Sequence, residues 1–364
     1  ITYVIDAIER SDKISYVQTY HEQGAAFAAN AYAQVSQKFG VAISSSGPGA
    51  INLVNGIANA YYDSIPCLFI TGNINTNSMR EKDSIRQNGF QEADIVGIVK
   101  GIPKFAKTIF DGKDIPVVLE QAMKAMKEGR PGPVLIDIPH NIQRAVVDIG
   151  LNKCYYSEET YDLDDSIIED VWCRLEKAKK PVLLLGNGSR SNLAKKLVRE
   201  LLAKIEIPVV VSLCGKDVIS NRHPCFRGMI GSYGLPYANR ALNEADFVLV
   251  LGSRMDERQR TVGVEQFLRE AEVVHVEIDQ NEICHVNQHE IGINATVELF
   301  LSKFVMFKDI DKRYIDWLEL TAEWMHEIPK EAWIFGFKFK EKMLGILGEC
   351  IEESIVCVDV GKHQ

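Results

Sequence analysis

Glu22 opens the run His21-Glu22-Gln23-Gly24-Ala25-Ala26-Phe27-Ala28-Ala29-Asn30-Ala31-Tyr32-Ala33, in which almost every later residue is small or apolar. A carboxylate in the first turn of a helix is favoured by the helix dipole, and alone Glu22 reads as an N-terminal capping residue. Burial among those neighbours would raise its pKa and suit it to share a proton with a nitrogen base. His21, just before it, reads equally as a packing residue or as a neighbour of a ligand. Further on, Ser44-Ser45-Ser46-Gly47-Pro48-Gly49-Ala50 sets a Gly-Pro-Gly turn between an apolar run and a helical one, followed by Asn52, Asn59 and Asp63-Ser64-Ile65-Pro66. Such a turn lets backbone approach a ligand closely at a helix N-terminus. It is neither a Walker loop nor a GxGxxG fingerprint. A third group pairs Phe90-Gln91-Glu92 with Gly129-Arg130-Pro131-Gly132-Pro133-Val134-Leu135-Ile136-Asp137-Ile138-Pro139. Taken singly, these are a surface loop and a buried strand entered through a turn.

The second half carries a different set: Gly186 and Gly188, Ser212 and Leu213, Gly252-Ser253-Arg254-Met255-Asp256-Glu257-Arg258, and Glu277-Ile278-Asp279. Glycines after a strand admit a dinucleotide phosphate. Arg254 and Arg258 can pair with pyrophosphate or stack on a ring, and the acidic Glu277 suits a ribose. No GxGxxG follows a strand, which disfavours an NAD-dependent oxidoreductase. Cys284, His285 and His289 have a spacing that zinc can use, but no fourth ligand accompanies them, so no metal is expected there. Lys179-Lys180 and Lys195-Lys196 read as solvated helix faces.

The elements that must position these residues alternate in the βαβ manner. Residues 41–45, 67–71 and 134–138 read as buried strands, with helical spacing over 22–39, 50–63 and 115–128. The polar segment 151–165 reads as a linker. Beyond it, strands are expected at 181–185, 208–212, 247–251 and 272–278, and helices at 193–204 and 237–243. Residues 308–340 read as a helical connector without a strand, 340–350 as a helix and 355–360 as a strand. The pattern implies an α/β fold of doubly wound parallel sheets, with ligand sites at the strand C-terminal ends. The expected division is 1–150, 166–305, 306–353 and 354–364.

The 364 residues carry a net charge of -9, with 46% hydrophobic residues. That composition suits globular cores and argues against a nucleic-acid or anionic-membrane partner. No apolar run is long enough for a membrane span. The eight cysteines contain no CxxC pair and read as buried thiols of a reducing, cytoplasmic compartment. Residues 1–5 look strand-like, and another apolar run stands at the far end. A domain rarely begins or ends on a core strand, so the chain is expected to be a fragment of something longer.

Taken together and in this order, HEQGAAFAANAYA, SGPGA, FQE and GRPGPVLIDIP resemble the pyrimidine-binding domain of thiamine-diphosphate enzymes, the acetolactate synthase large-subunit group above all. The resemblance runs through the second unit, a Rossmann-like middle domain, to Gly361-Lys362-His363, which resembles the start of a diphosphate-binding domain. It implies that Glu22 hydrogen-bonds N1′ of the cofactor's aminopyrimidine and promotes loss of the thiazolium C2 proton. It further implies that Gln91 lies near the thiazolium and substrate. Gly47, Pro48 and Asn52 would back the pyrimidine, and Gly361, Lys362 and His363 would meet the diphosphate. FAD would bind Arg130, Gly186, Gly188, Ser212, Leu213, Gly252, Ser253, Arg254, Asp256, Arg258, Glu277 and Ile278. The implied activity is decarboxylation of pyruvate and transfer of the hydroxyethyl unit to a second 2-keto acid, by a homodimer or tetramer with its active site between subunits.

Three departures stand out. His140 replaces the usual lysine near the substrate entrance, Lys362 replaces a glutamine, and the GDG…N motif that holds Mg²⁺ is missing. They leave two alternatives open: a keto sugar nucleotide as acceptor, or a non-catalytic nucleotide-binding relative.

Overall fold

The computed structural model describes residues 1–81, 84–147, 162–260, 267–286, 290–308 and 312–327. The helix expected at 340–350, the strand at 355–360, Gly361, Lys362, His363 and His289 lie outside the described residues. The chain forms two units, the first made of residues 1–163 with the short segments 278–281 and 294–296, the second of the remaining residues from Asp164 on.

The first unit contains α1 (Thr2–Glu9), α2 (Glu22–Ser36), β1 (Gly40–Ser44), α3 (Pro48–Asn52), α4 (Val54–Tyr62), β2 (Cys67–Asn73), α5 (Ile95–Ile98), β3 (Phe105–Thr108), α6 (Ile115–Lys127) and β4 (Val134–Pro139). Its four strands are parallel, in the order β1-β2-β4-β3. Alternation along β2 and β4 sends Cys67, Phe69 and Leu135 into one cluster with Ala26, Ala29, Leu53 and Ile57. Leu68, Val134 and Ile136 enter the other, with Val118, Ala122 and Met126 of α6. Both faces of the sheet are therefore covered, as a parallel sheet requires.

The small residues of α2 have a packing reason. A Cβ at Gly56 of α4 would stand 2.3 Å from the Ala26 Cβ, and one at Gly40 would stand 2.0 Å from the Ala29 carbonyl oxygen. Asn30, buried on the same face, donates to the Gly56 carbonyl at 2.9 Å and accepts from the Cys67 thiol at 3.3 Å. Burial pushes that thiol up to about 12.

The second unit contains α7 (Asp165–Lys177), β5 (Pro181–Leu185), α8 (Asn192–Lys204), β6 (Ile205–Glu206), β7 (Val209–Val211), β8 (Phe226–Met229), α9 (Pro236–Asn243), β9 (Phe247–Leu251), β10 (Glu272–Glu277), β11 (Ile291–Asn294), α10 (Val297–Met306), β12 (Lys312–Arg313) and α11 (Ile315–Glu327). Its main sheet has the order β11-β10-β9-β5-β7-β8, and β6 pairs with β12 separately. The ladders from β10 through β9, β5 and β7 to β8 are parallel. Every residue of β5, β7 and β9 is buried. Trp172 of α7 stacks on Phe304 of α10 at 4.3 Å and donates to its carbonyl. The α/β class is as expected.

Several local expectations change. Residues 2–9 form a helix: Ile1, Val4 and Ile8 make a half-buried stripe of period three to four, not two. The helix expected over 50–63 breaks at Leu53, whose N–H bonds back to Ala50 as in a tight turn. The last linker residues start α7, because Asp164 caps it by accepting from the Ser166 N–H at 2.9 Å. The short β12 falls inside the stretch read as strandless. Of the cysteines, Cys67 and Cys225 are buried while Cys173, Cys214 and Cys284 are exposed.

Candidate active site

In the first unit α2 precedes β1, so the start of α2 lies at the edge where the parallel strands end. His21 caps this helix, its Nδ1 accepting from the Gln23 N–H at 3.1 Å. Glu22 is thereby the first helical residue, and it is half-buried. Gly47, at the end of the turn after β1, takes φ +61° and caps α3, with Pro48 in the first turn. That helix carries Asn52 to the carboxylate, and its Nδ2 donates to Glu22 Oε2 at 3.0 Å.

Glu22's acidity departs from the expectation that burial would raise it. The carboxyl lies below its ordinary range, because the Asn52 hydrogen bond, its own backbone N–H and His21 together outweigh desolvation. A half-exposed carboxylate at a helix N-terminus with a neutral donor on one oxygen favours the charged form.

Gly49 packs closely beside the other oxygen. A Cβ at Gly49 would stand 3.1 Å from Glu22 Oε1 and 2.5 Å from the Ser45 hydroxyl. Gln91 reaches the same turn: a Cβ at Gly47 would stand 2.9 Å from Gln91 Cβ and from its carbonyl oxygen. Gln91 is exposed and itself has φ +61°. Its loop is tied down by Glu92, whose carboxylate accepts from the backbone N–H groups of Arg80 and Asn88, both at 2.8 Å, and Gly89 at 3.3 Å. Burial works against the charge on Glu92, but those three donors and Arg80 hold its carboxyl below the usual range.

Behind the site, register aligns Ser44, Thr71, Asp137 and Thr108 across all four strands. Asp137, fully buried, accepts from Thr71 Oγ1 at 2.7 Å, Asn73 Nδ2 at 2.8 Å and Thr108 Oγ1 at 3.1 Å. Asn73 Nδ2 also donates to the Ala93 carbonyl at 3.1 Å, joining this row to the segment that follows Glu92. Desolvation raises the Asp137 carboxyl despite the three donors.

Sequence reading thus found Glu22, Gly47, Pro48, Asn52 and Gln91, and the fold brings them to one turn. It did not assign roles to Ser45, Gly49, Glu92, Asn73 or Asp137. The Gly-x-Gly spacing and the acid after Gln91 were the available signals. Arg130 donates from Nε to Ser64 Oγ at 2.7 Å. His140, the first departure noted, has Nδ1 3.1 Å from Asn75 Oδ1.

In the second unit, Leu185 pairs with Val211 and Leu251, and Leu251 with Val276. The next residues, Gly186, Ser212, Gly252 and Glu277, therefore share one edge of the sheet. From β5 the chain passes to β7 on one side and later to β9 on the other. The switch point, where α/β folds open a crevice for ligands, thus lies between β5 and β9. Gly186 and Gly188 meet Gly252 and Ser253 there. A Cβ at Gly188 would fall 2.8 Å from Gly252 Cα, and Gly188 N–H donates to the Gly252 carbonyl at 3.0 Å. These glycines are required by the approach of the two loops to each other.

Ser253 is buried and donates to Gln259 Oε1 at 2.7 Å. Asp256 turns the chain by accepting from the Arg258 N–H at 2.9 Å, and Arg254 makes a loose pair with Asp256 at 3.6 Å. Leu213 and Arg258 are exposed, and Ile278 follows Glu277 half-buried. Among the described residues no group of three or more His, Cys, Asp or Glu could hold a metal ion, and no helix is long and apolar enough to cross a membrane.

Comparison with known proteins places two family descriptions on the chain. "Thiamine pyrophosphate enzyme, N-terminal TPP binding domain" matches residues 1–98, and "Thiamine pyrophosphate enzyme, central domain" matches residues 168–304. Among individual proteins, the acetolactate synthase isozyme 1 large subunit of Escherichia coli is 34% identical over 99% of this chain and 63% of its own length. The acetolactate synthase large subunit of Lactococcus lactis is 33% identical over 99% of this chain and 62% of its own length. Acetolactate synthase of Arthrospira platensis is 36% identical over 90% of this chain and 55% of its own length. The chain therefore spans less than two thirds of each of these relatives.

Proposed function

From the premise that this chain belongs to the thiamine pyrophosphate enzymes, we propose that it forms the pyrimidine-side half of a thiamine-diphosphate site and the central domain of an acetolactate-synthase-like carboligase. The reaction is decarboxylation of pyruvate and transfer of the two-carbon unit to a second 2-keto acid. The observation that carries this reading is the half-buried Glu22 carboxylate at the start of α2, its Oε2 taken by Asn52 and its Oε1 beside the close-packed backbone of Gly49. A cofactor ring nitrogen suits the carboxylate oxygen that Asn52 leaves.

When bound, thiamine diphosphate supplies the electron sink for the decarboxylation. The chain's own residues do the rest of the work on this side. Glu22 would accept at Oε1 the hydrogen bond of the protonated pyrimidine nitrogen. Gly47 and Pro48 form the turn behind the ring, and Gln91 stands over that turn at the solvent side. The diphosphate and its Mg²⁺ fall to residues outside the described ones, with Gly361, Lys362 and His363 at that end.

FAD is proposed at the β5/β9 switch point, with Arg254 and Arg258 toward its phosphates and Glu277 toward its ribose; Gly186, Gly188, Ser212, Leu213, Gly252, Ser253 and Asp256 complete the set on this unit. A cytoplasmic homodimer or tetramer is proposed as the working form. The exposed face of α2 supports assembly, since Phe27, Ala28, Ala31, Tyr32 and Val35 carry no charge between them.

The test is Glu22→Gln in the full-length protein. Folding should be unchanged by circular dichroism, while C2 proton exchange on bound thiamine diphosphate, followed by NMR, is lost. Full exchange in this variant overturns the reading.

A further inference from the structure

We propose that Asn52 is a positioning residue: its amide fastens one oxygen of Glu22, so that Oε1 alone is presented to the pyrimidine nitrogen. The inference rests on the reading of Glu22 above and assigns a different role to Asn52 than backing the ring.

Its basis is one short helix. α3 spans only Pro48–Asn52, and Gly49 and Asn52 stand three residues apart, on one face of it. Asn52 donates to Oε2 at 3.0 Å, and Gly49 passes so close to Oε1 that a Cβ there would stand 3.1 Å from it. The same short helix therefore ties one oxygen of the carboxylate through an amide and passes the other with backbone alone. A carboxylate free to rotate would offer either oxygen to a ring nitrogen; the amide removes that choice and favours the charged acceptor. Among the described residues, the other titratable group acting on Glu22 is His21, on the same helix end, and it favours charge in the same direction. Asn52, Gly49 and Ser45, which face Glu22 from α3 and the turn before it, carry no charge.

The experiment is a carboxyl ¹³C NMR titration of this chain without cofactor, with the Glu22 resonance assigned by its loss in Glu22→Gln. Asn52→Ala should raise the Glu22 midpoint, because a hydrogen bond that favours the charged form is then lost. Asn52→Asp should raise it further, because a second carboxylate then faces the first. In the full-length enzyme with thiamine diphosphate, the acidic limb of C2 proton exchange should move up with it. An unmoved Glu22 midpoint in both variants overturns the proposal, and Asn52→Asp, of nearly the same shape, decides the matter if Asn52→Ala does not fold. If Glu22→Gln retains full exchange, the carboligase reading falls, whereas the titration still reports whether Asn52 holds Glu22.

Discussion

Gly47 lies directly against Gln91: a Cβ at Gly47 would stand 2.9 Å from both Cβ and the carbonyl oxygen of Gln91. The two residues come from separate loops, and both adopt a left-handed backbone, each with φ +61°. One is glycine, for which this is inexpensive, and the other is not. Gly47→Ala therefore meets two penalties, backbone strain of about 1–3 kcal/mol and a clash with the loop that carries Gln91. Gly101→Ala is the control, since Gly101 also has positive φ (+91°) but nothing within 4 Å of its absent Cβ. The thermal midpoint of Gly47→Ala should fall below that of Gly101→Ala. Equal midpoints would mean that the Gln91 loop yields freely.

Glu92 holds that loop through three backbone N–H groups. Its carboxyl is depressed in the folded chain, so its contribution is present above the ordinary carboxylate pKa and lost as pH falls through the folded value. Amide hydrogen exchange at Arg80, Asn88 and Gly89 should accelerate in Glu92→Gln at neutral pH. In the parent chain the same amides should lose protection on acidification. Protection at neutral pH that is unchanged by the substitution would show that other contacts hold the loop.

Asp137 has the opposite sign. Its folded pKa is raised by burial, so the stability linked to its proton is full below the ordinary carboxylate pKa and declines as pH rises through the folded value. Asp137→Ala leaves Thr71 and Asn73 without this acceptor and should cost more than about 2 kcal/mol. Asp137→Asn keeps the shape but sets an amide against Asn73. Denaturant curves at pH 5 and pH 8 should show the gap between parent and Asp137→Asn narrowing at the higher pH. A widening gap would refute the assigned sign.

What the sequence made legible follows sheet position. The central strands β2, β4, β5, β7 and β9 are covered on both faces and read as continuous apolar runs. The strands that escaped notice, β3, β6, β8, β11 and β12, are all at sheet edges. There, a single neighbour leaves room for Lys107, for Gly228 and its register shift, and for Gly292. α10 is a different kind of miss. Val297, Phe300, Leu301, Phe304 and Val305 repeat at helical spacing, so its signal was in the letters. At the site, Glu22 and Gln91 were legible as motif residues. The sign of Glu22's acidity was not, because it depends on Asn52, which comes from thirty residues further along the chain.

The proposed flavin site separates two kinds of residue. Gly252 has φ +60°, and a Cβ there would stand 2.5 Å from Gly188 Cα, a backbone atom that cannot move aside alone. Gly252→Ala should therefore damage the switch-point loops themselves and lower the thermal midpoint of the second unit. Arg254 differs: it is half-buried, and its loose pair with Asp256 at 3.6 Å contributes little at that exposure. Arg254→Met should leave folding intact and weaken FAD about tenfold or more, since a charge-assisted hydrogen bond to phosphate is worth about 1.5–3 kcal/mol. Flavin absorbance retained after gel filtration, read beside the thermal midpoint, distinguishes the two variants. If Arg254→Met keeps its flavin as the parent does, Arg254 does not hold the phosphates. If the parent, refolded with excess FAD, elutes colourless, the glycines at this edge serve loop packing alone.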